Sequence, residues 1–220
     1  MAGRVRVNSR PADKPDLKVD AAIPIAIVGG TREYASRGAY KLIAALDHFG
    51  IKVAGRYALD VGASTGGFTD VMLQRGAASV IALDVGYGQL AERLRVDPRV
   101  TVMDRTNIRE VEPVDLPYPP DLVTIDASFI SLKLVLPAVL KLMARPAEII
   151  ALVKPQFEVG KGKVGKGGVV RDEELRESAL RDVLNHAAQI GLACAGWLEA
   201  PIRGAAGNVE YLALFRSIDD

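Results

Sequence analysis

Tyr57-Ala-Leu-Asp-Val-Gly-Ala-Ser-Thr-Gly-Gly-Phe-Thr69 decides the fold. An apolar run enters a glycine turn that opens directly into a helix, so the backbone can lie bare against a nucleotide-like ligand at the carboxyl end of a parallel strand. About one strand–helix–strand unit further on, Ser79-Val-Ile-Ala-Leu-Asp84 reads as a second strand ending in a carboxylate, placed to hold a ribose.

The glycine spacing narrows the ligand. A dinucleotide fingerprint needs G-x-G-x-x-G, whereas Gly62, Gly66 and Gly67 are spaced G-x-x-x-G-G, with Asp60 two residues before the first glycine. That argues against NAD and for S-adenosylmethionine, whose ammonium group a carboxylate near the turn would help to anchor. Gly160-Lys-Gly-Lys-Val-Gly-Lys166 satisfies G-x-x-x-x-G-K, but Gly167 replaces the Ser or Thr that would hold magnesium, so a P-loop is rejected. An αβ turn without ligand is the bland alternative, and the pairing of Asp60 with Asp84 counts against it.

Strands and helices alternate around this turn. Ser36 is placed to cap a helix whose apolar positions Tyr40, Leu42, Ile43, Ala45, Leu46 and Phe49 recur at helical spacing, ending at Gly50. Strands are expected at 57–61, 79–84, 100–103, 121–126 and 148–153, with helices at 67–75, 89–95 and 132–143. Asp172 to Ile190 is a charged amphipathic helix leading into β runs at 193–199 and 210–215. The fold class is therefore α/β, Rossmann-like, a mostly parallel sheet closed by an antiparallel C-terminal hairpin, as in class I methyltransferases. Residues 1–30 form a separate small β appendage, with β runs at 4–8 and 23–28, before the main domain at 31–220.

Composition bounds the rest. The chain has 220 residues, 49% of them apolar, enough for one good core. No stretch approaches the apolar length of a membrane span and the first residues lack a signal core, so a soluble, cytoplasmic protein is expected. Cys194 is the only cysteine; it excludes an intrachain disulfide or a cysteine metal cluster and is expected to be a buried thiol. A net charge of +1 gives no global argument for nucleic acid, so that case rests on charge distribution. Two stretches are locally basic, one from Arg4 through Arg6, Arg10 and Lys14 to Lys18, the other holding Lys154, Lys161, Lys163, Lys166 and Arg171. Either is able to contact phosphate, though such a stretch taken alone is more often a solvated surface.

Asp126 and Lys154 end neighbouring strands, so both should face one crevice. A lysine is a poor base at its free pKa; burial and a second cation lower that value, while carboxylates raise it and fix its direction. A neutral amine would then take a proton from a hydroxyl, and the competing reading of the pair is a salt bridge.

Ser36-Arg-Gly-Ala-Tyr-Lys-Leu42, the turn from Leu59 to Thr69, Asp84-Val-Gly-Tyr-Gly-Gln-Leu90, Ile125-Asp-Ala-Ser-Phe-Ile-Ser-Leu132, Leu152-Val-Lys-Pro-Gln-Phe-Glu158 and Gly207-Asn-Val-Glu210 together resemble the TlyA (hemolysin A) family of FtsJ-like ribosomal RNA 2′-O-methyltransferases. The resemblance covers nearly the whole chain and six motifs in order are far more specific than one glycine turn. It implies a Lys-Asp-Lys-Glu tetrad at Lys41, Asp126, Lys154 and Glu210, with Lys154 as base. It implies a cofactor site, for S-adenosylmethionine, at Gly62, Ala63, Ser64, Thr65, Gly66, Gly67 and Phe68, with Asp60, Asp84, Val85, Asp104, Arg105, Asn107 and Asp126. The partner it implies is ribosomal RNA or a ribosomal subunit, with cytidine as the target nucleotide; Arg4, Arg6, Arg37, Lys161, Lys163 and Lys166 are the candidate RNA contacts. No metal, DNA or membrane partner is expected.

The family pattern begins with an S4 RNA-binding domain, of which only the tail is expected here, in Gly3 to Asn8 and Lys14-Pro15. Either a naturally short form or a start at an internal methionine would give that pattern. Ser9 and Ala39 stand where the family usually has glycine. Three other classes compete: an RNA- or ribosome-binding module with impaired catalysis, a methyltransferase acting on a small molecule, and a membrane-active haemolysin, for which no lytic segment is visible.

Overall fold

The structure is a computed structural model, and it describes residues 5–8, 10–12, 17–20, 23–27, 34–160 and 162–217. Arg4, Ser9, Lys14 and Lys161, which carry expectations from the sequence, lie outside the described residues. Contacts divide the chain into two units, Met1–Glu33 and Tyr34–Asp220. In the first, β1 (Val5–Val7) pairs antiparallel with β2 (Arg10–Pro11) on one side and β3 (Ile25–Ile27) on the other.

The second unit alternates as the sequence predicts. Its elements are α1 (Ala39–Phe49), β4 (Tyr57–Val61), α2 (Gly67–Gln74), β5 (Ser79–Leu83), α3 (Glu92–Arg95), β6 (Val100–Met103), β7 (Leu122–Ile125), α4 (Leu132–Leu142), β8 (Glu148–Val153), α5 (Pro155–Glu158), α6 (Glu173–Gln189), β9 (Leu192–Glu199) and β10 (Tyr211–Ser217). The seven strands run in the order β6-β5-β4-β7-β8-β10-β9. β6 through β8 are parallel, and β10 and β9 close the sheet antiparallel. Chain order reverses between β4 and β7, and in open α/β sheets the crevice at such a switch point is where ligands bind.

Strand parity places the core. Leu59, Val61, Val123 and Ile125 face α4 and α6, where Val135, Leu136, Val139 and Val183 meet them. Ala58, Leu122 and Ile150 face the other way, onto Leu42, Leu46, Phe68 and Met72 of α1 and α2. Both faces of the central strands are covered, which is why these runs are continuously apolar.

Three expectations are corrected. Ser36 does not cap α1 directly: its Oγ accepts from the Gly38 N–H at 3.2 Å, and the helix starts at Ala39 after a turn. The helix expected at 89–95 is the single turn Glu92–Arg95, because the glycine-rich residues after Asp84 form a loop first. Cys194 is exposed, because β9 is the outer strand of the sheet and its residues 193–195 are uncovered on both faces.

Asp60 sits on the α2 side of β4 and is fully buried. Its Oδ2 accepts from the Thr69 N–H at 2.8 Å and from Thr69 Oγ1 at 2.6 Å, and its Oδ1 accepts from Thr124 Oγ1 at 3.0 Å. Burial still outweighs these bonds and pushes the carboxyl up from 3.8 to about 6. Because the folded value lies above the unfolded one, Asp60's contribution to stability is fully present below about pH 4 and is lost as pH rises through about 6. An Asp60→Asn variant should therefore gain about 3 kcal/mol relative to the parent between pH 4 and pH 7.5, read from denaturant unfolding of both proteins. A stability difference independent of pH would contradict this.

Candidate active site

Every strand that ends at the crevice delivers a chemistry-bearing group there. Gly62 follows β4, with its N–H donated to the Leu83 carbonyl, and Asp126 follows β7, with its N–H donated to the Val61 carbonyl. Gly62 has φ +83°, and a Cβ on it would stand 2.7 Å from the Asp126 carbonyl oxygen. Only glycine lets the turn and the β7 exit approach this closely. Gly62→Ala should combine about 1–3 kcal/mol of backbone strain with displacement of Asp126. Cofactor titration and thermal unfolding of that variant should both show a loss; unchanged cofactor affinity would contradict the assignment of this turn.

Asp84 stands at the end of β5, half-buried. Its Oδ2 accepts from the Ser64 N–H at 2.8 Å and its Oδ1 from the Gly86 N–H at 2.7 Å. Both oxygens are fixed in direction and each keeps acceptor capacity for a ribose hydroxyl. Asp84 borders a cleft of about 310 Å³ whose other walls include Val85, Asn107, Ile108, Phe129 and Val135. Val85 is 73% exposed, an apolar surface held open beside a carboxylate, which suits a nucleoside. This cradle, with the bare turn beside it, fits the cofactor that the glycine spacing predicts.

A second, wider cleft of about 590 Å³ adjoins it, and Gly62, Ser64, Asp126, Ser128 and Phe129 border both. The wider cleft holds all four residues of the expected tetrad. Lys154 Nζ lies 2.6 Å from Asp126 Oδ1 and donates to Ser128 Oγ at 2.9 Å. Lys41, from α1, pairs with Glu210 Oε2 at 2.5 Å, and Glu210 Oε1 accepts from Gln156 Nε2 at 3.2 Å. Lys41 and Glu210 are both buried, whereas the Asp126 side chain keeps a quarter of its surface. Two ion pairs thus stand in one cleft, one sealed and one open to it.

The rim is also ordered. Phe129 has φ +63° and is 91% exposed, with its ring centroid 5.1 Å from that of Phe157. The loop that carries it is clasped at its far end by Glu158, which accepts from Ser131 Oγ at 2.6 Å and from the Leu132 N–H at 2.8 Å. Burial pushes the Glu158 carboxyl up, against the pull of those bonds.

Several expected site residues fall elsewhere. Asp60 borders neither cleft; its buried carboxylate is taken up by Thr69 and Thr124. Gly66 turns toward Leu90 and Leu94 of the α3 region. Asp104 pairs with Arg95 at 2.8 Å, and Arg105 lays its guanidinium over the Tyr87 ring at 4.1 Å. From that segment Thr106 and Asn107 reach the narrower cleft. Ala63, Thr65, Gly67 and Phe68 line the wider cleft with Arg37, while Lys163 and Lys166 are exposed on the loop whose Val164 and Gly168 border it. Ser128 and Gln156 were not singled out from the sequence, though both stand inside the quoted motifs. Their spacing, two residues beyond Asp126 and Lys154, is the signal that would have found them.

Fold and site together define a class I S-adenosylmethionine-dependent methyltransferase. An FtsJ-like methyltransferase family model matches residues 34–217, so the chain belongs to that family. It is 51% identical over 220 residues, all of this chain and 82% of the relative, to the 16S/23S rRNA (cytidine-2′-O)-methyltransferase TlyA of Mycobacterium tuberculosis. A solved structure designated a hemolysin, from Streptococcus thermophilus, superposes with TM-score 0.85 at 43% identity, over all of this chain and 81% of that one. The N-methyltransferase NodS of Bradyrhizobium japonicum, solved with S-adenosyl-L-homocysteine, shares the fold at TM-score 0.59 and 14% identity, over 83% of this chain and 87% of that one. Among the described residues no helix is long and apolar enough to cross a membrane.

Proposed function

We propose that this protein methylates a ribose 2′-hydroxyl of ribosomal RNA, with cytidine as the acceptor nucleotide and the cytoplasm as its location. The observation that carries the reading is Lys154 Nζ, held 2.6 Å from Asp126 Oδ1 at the border between the nucleoside cleft and the wider one. The relative's ribosomal RNA and cytidine specificity, at 51% identity over the full chain, supports the substrate.

Bound S-adenosylmethionine supplies a sulfonium methyl group open to attack by an oxygen nucleophile. Asp84 would hold the ribose of that cofactor, Val85, Asn107 and Ile108 would enclose its base, and the turn from Gly62 to Phe68 would carry its amino acid end. Lys154 Nζ, once it has released its own proton to solvent, accepts the proton of the acceptor 2′-hydroxyl; Asp126 and Ser128 fix the direction of Nζ. Lys41 and Glu210 tie α1 to the start of β10 and so fix the wall of the acceptor cleft. Attack removes positive charge and creates little, so positioning of donor and acceptor dominates. Phe129 offers a flat apolar face at the junction, suited to an unstacked base. Arg37, Lys161, Lys163 and Lys166 contact phosphates, and the segment 1–30, with Arg4 and Arg6, serves as an S4-like RNA-binding segment.

Incubation with methyl-labelled S-adenosylmethionine and, separately, unmodified small subunits, large subunits and free ribosomal RNA tests the reading. Label in RNA is expected. Cofactor binding without label in any of the three would overturn it.

A further inference from the structure

Six arginines remote from the crevice are neutralised. Arg56, Arg75, Arg93, Arg95, Arg99 and Arg216 each pair with an aspartate or glutamate. Around the wider cleft positive charge is in excess. Its charged lining consists of four cations, Arg37, Lys41, Lys154 and Arg203, against two carboxylates, Asp126 and Glu210. The lysines consume both carboxylates, so the cleft keeps two uncompensated positive charges, on Arg37 and Arg203, in a chain whose total is only +1. Neither guanidinium has an acidic partner among the described residues.

Both charges are mounted on braced backbone. Arg37 precedes Lys41 by four residues, and Arg203 immediately precedes Gly204, where a Cβ would collide with the Glu210 carboxylate. The Lys41–Glu210 pair therefore ties together the two segments that carry the arginines. The turn bearing Arg203 is pinned by Gly204 N–H to the Asn208 carbonyl at 2.9 Å and Gly207 N–H to the Gly204 carbonyl at 2.8 Å. Asn208 itself is buried, accepting from the Val170 N–H and donating to the Gly168 carbonyl. Arg203 is exposed at the surface of this turn, and no residue of 202–206 borders the narrower cleft where Asp84 stands.

We infer that Arg203 is a substrate-positioning residue that grips a backbone phosphate of the acceptor RNA, working with Arg37 to hold the strand beside the reacting ribose. The inference rests on the proposed RNA substrate. An arginine fork matches a phosphodiester in two parallel hydrogen bonds, and the unpaired charge adds counterion release to affinity.

The experiment is direct RNA binding, by fluorescence anisotropy across a salt series, with an unmodified ribosomal RNA fragment and the full chain carrying Arg203→Ala or Arg203→Lys. Arg203→Ala should weaken RNA binding about tenfold, lower the salt slope by about 1, and raise KM for RNA far more than it changes kcat. S-adenosylmethionine affinity and thermal stability should match the parent, and Arg203→Lys should restore the salt slope with part of the affinity. Unchanged RNA affinity and salt slope would overturn the inference, as would a loss confined to cofactor affinity, which would place Arg203 on the cofactor carboxylate instead. Failure of the parent protein to methylate any RNA would defeat the proposed function, while the binding arms would still judge Arg203.

Discussion

Replacing Lys154 by alanine is expected to lower kcat for methyl transfer by about 10²–10⁴-fold, the range over which a positioned acid or base contributes. Cofactor affinity should be nearly unchanged, because Lys154 stands apart from Asp84, Val85, Asn107 and Ile108, which would hold the ribose and base in the narrower cleft. Folding should tolerate the change: Asp126, the carboxylate left behind, is partly exposed and solvent can take over the missing partner. Lys154→Arg should fail almost as completely, since a guanidinium keeps its proton throughout the working pH range and has no lone pair to offer. Single-turnover assays with cofactor in excess, alongside cofactor titration of each variant, separate the two effects. Retained turnover in Lys154→Ala would remove Lys154 from the chemistry.

Glu210→Ala should damage the fold as well as the activity. The Lys41 side chain keeps 9% of its surface and that of Glu210 3%. Removing the carboxylate strands a buried ammonium, which costs about 3–5 kcal/mol. It also frees the Gln156 amide, which donates to the same carboxylate. A double replacement, Lys41→Met with Glu210→Met, deletes the ion pair without leaving a charge behind, and buried pairs replaced by apolar groups are often close to neutral in stability. That variant should recover most of the lost melting temperature and none of the lost methyl transfer. If the double variant regains both, the pair is structural only.

Much of this architecture was legible because parallel strands deliver their ends to one place. Once Asp126 and Lys154 were read as the last residues before two adjacent crevice loops, their proximity followed from topology, and the 2.6 Å contact agrees with it. The Gly62 turn was legible for a related reason: its backbone conformation excludes a side chain, and glycine records that in the sequence. Asp60 was harder. Being two residues before the first glycine brings it near the ligand along the chain, but strand parity turns it onto the α2 layer with Ala58, away from the crevice. Arg105 shows a different obstacle, since the Tyr87 ring that engages it comes from a loop whose shape no periodicity encodes. Cys194 was misjudged because burial was inferred from residue type, whereas exposure was set by the position of β9 at the sheet edge. Ser128 escaped notice because its contact with Lys154 depends on the geometry of the residues after β7, which motif order does not specify.

The most direct measurement is to digest RNA modified by the purified protein to nucleosides and locate the transferred methyl group by mass spectrometry. A lysine-dependent transfer to a hydroxyl predicts 2′-O-methylcytidine, with the mass increment on the ribose fragment, and its absence when Lys154→Ala replaces the parent. A methyl group on the base fragment would contradict the account, because the chemistry assigned to Lys154 and Asp126 acts on a ribose oxygen.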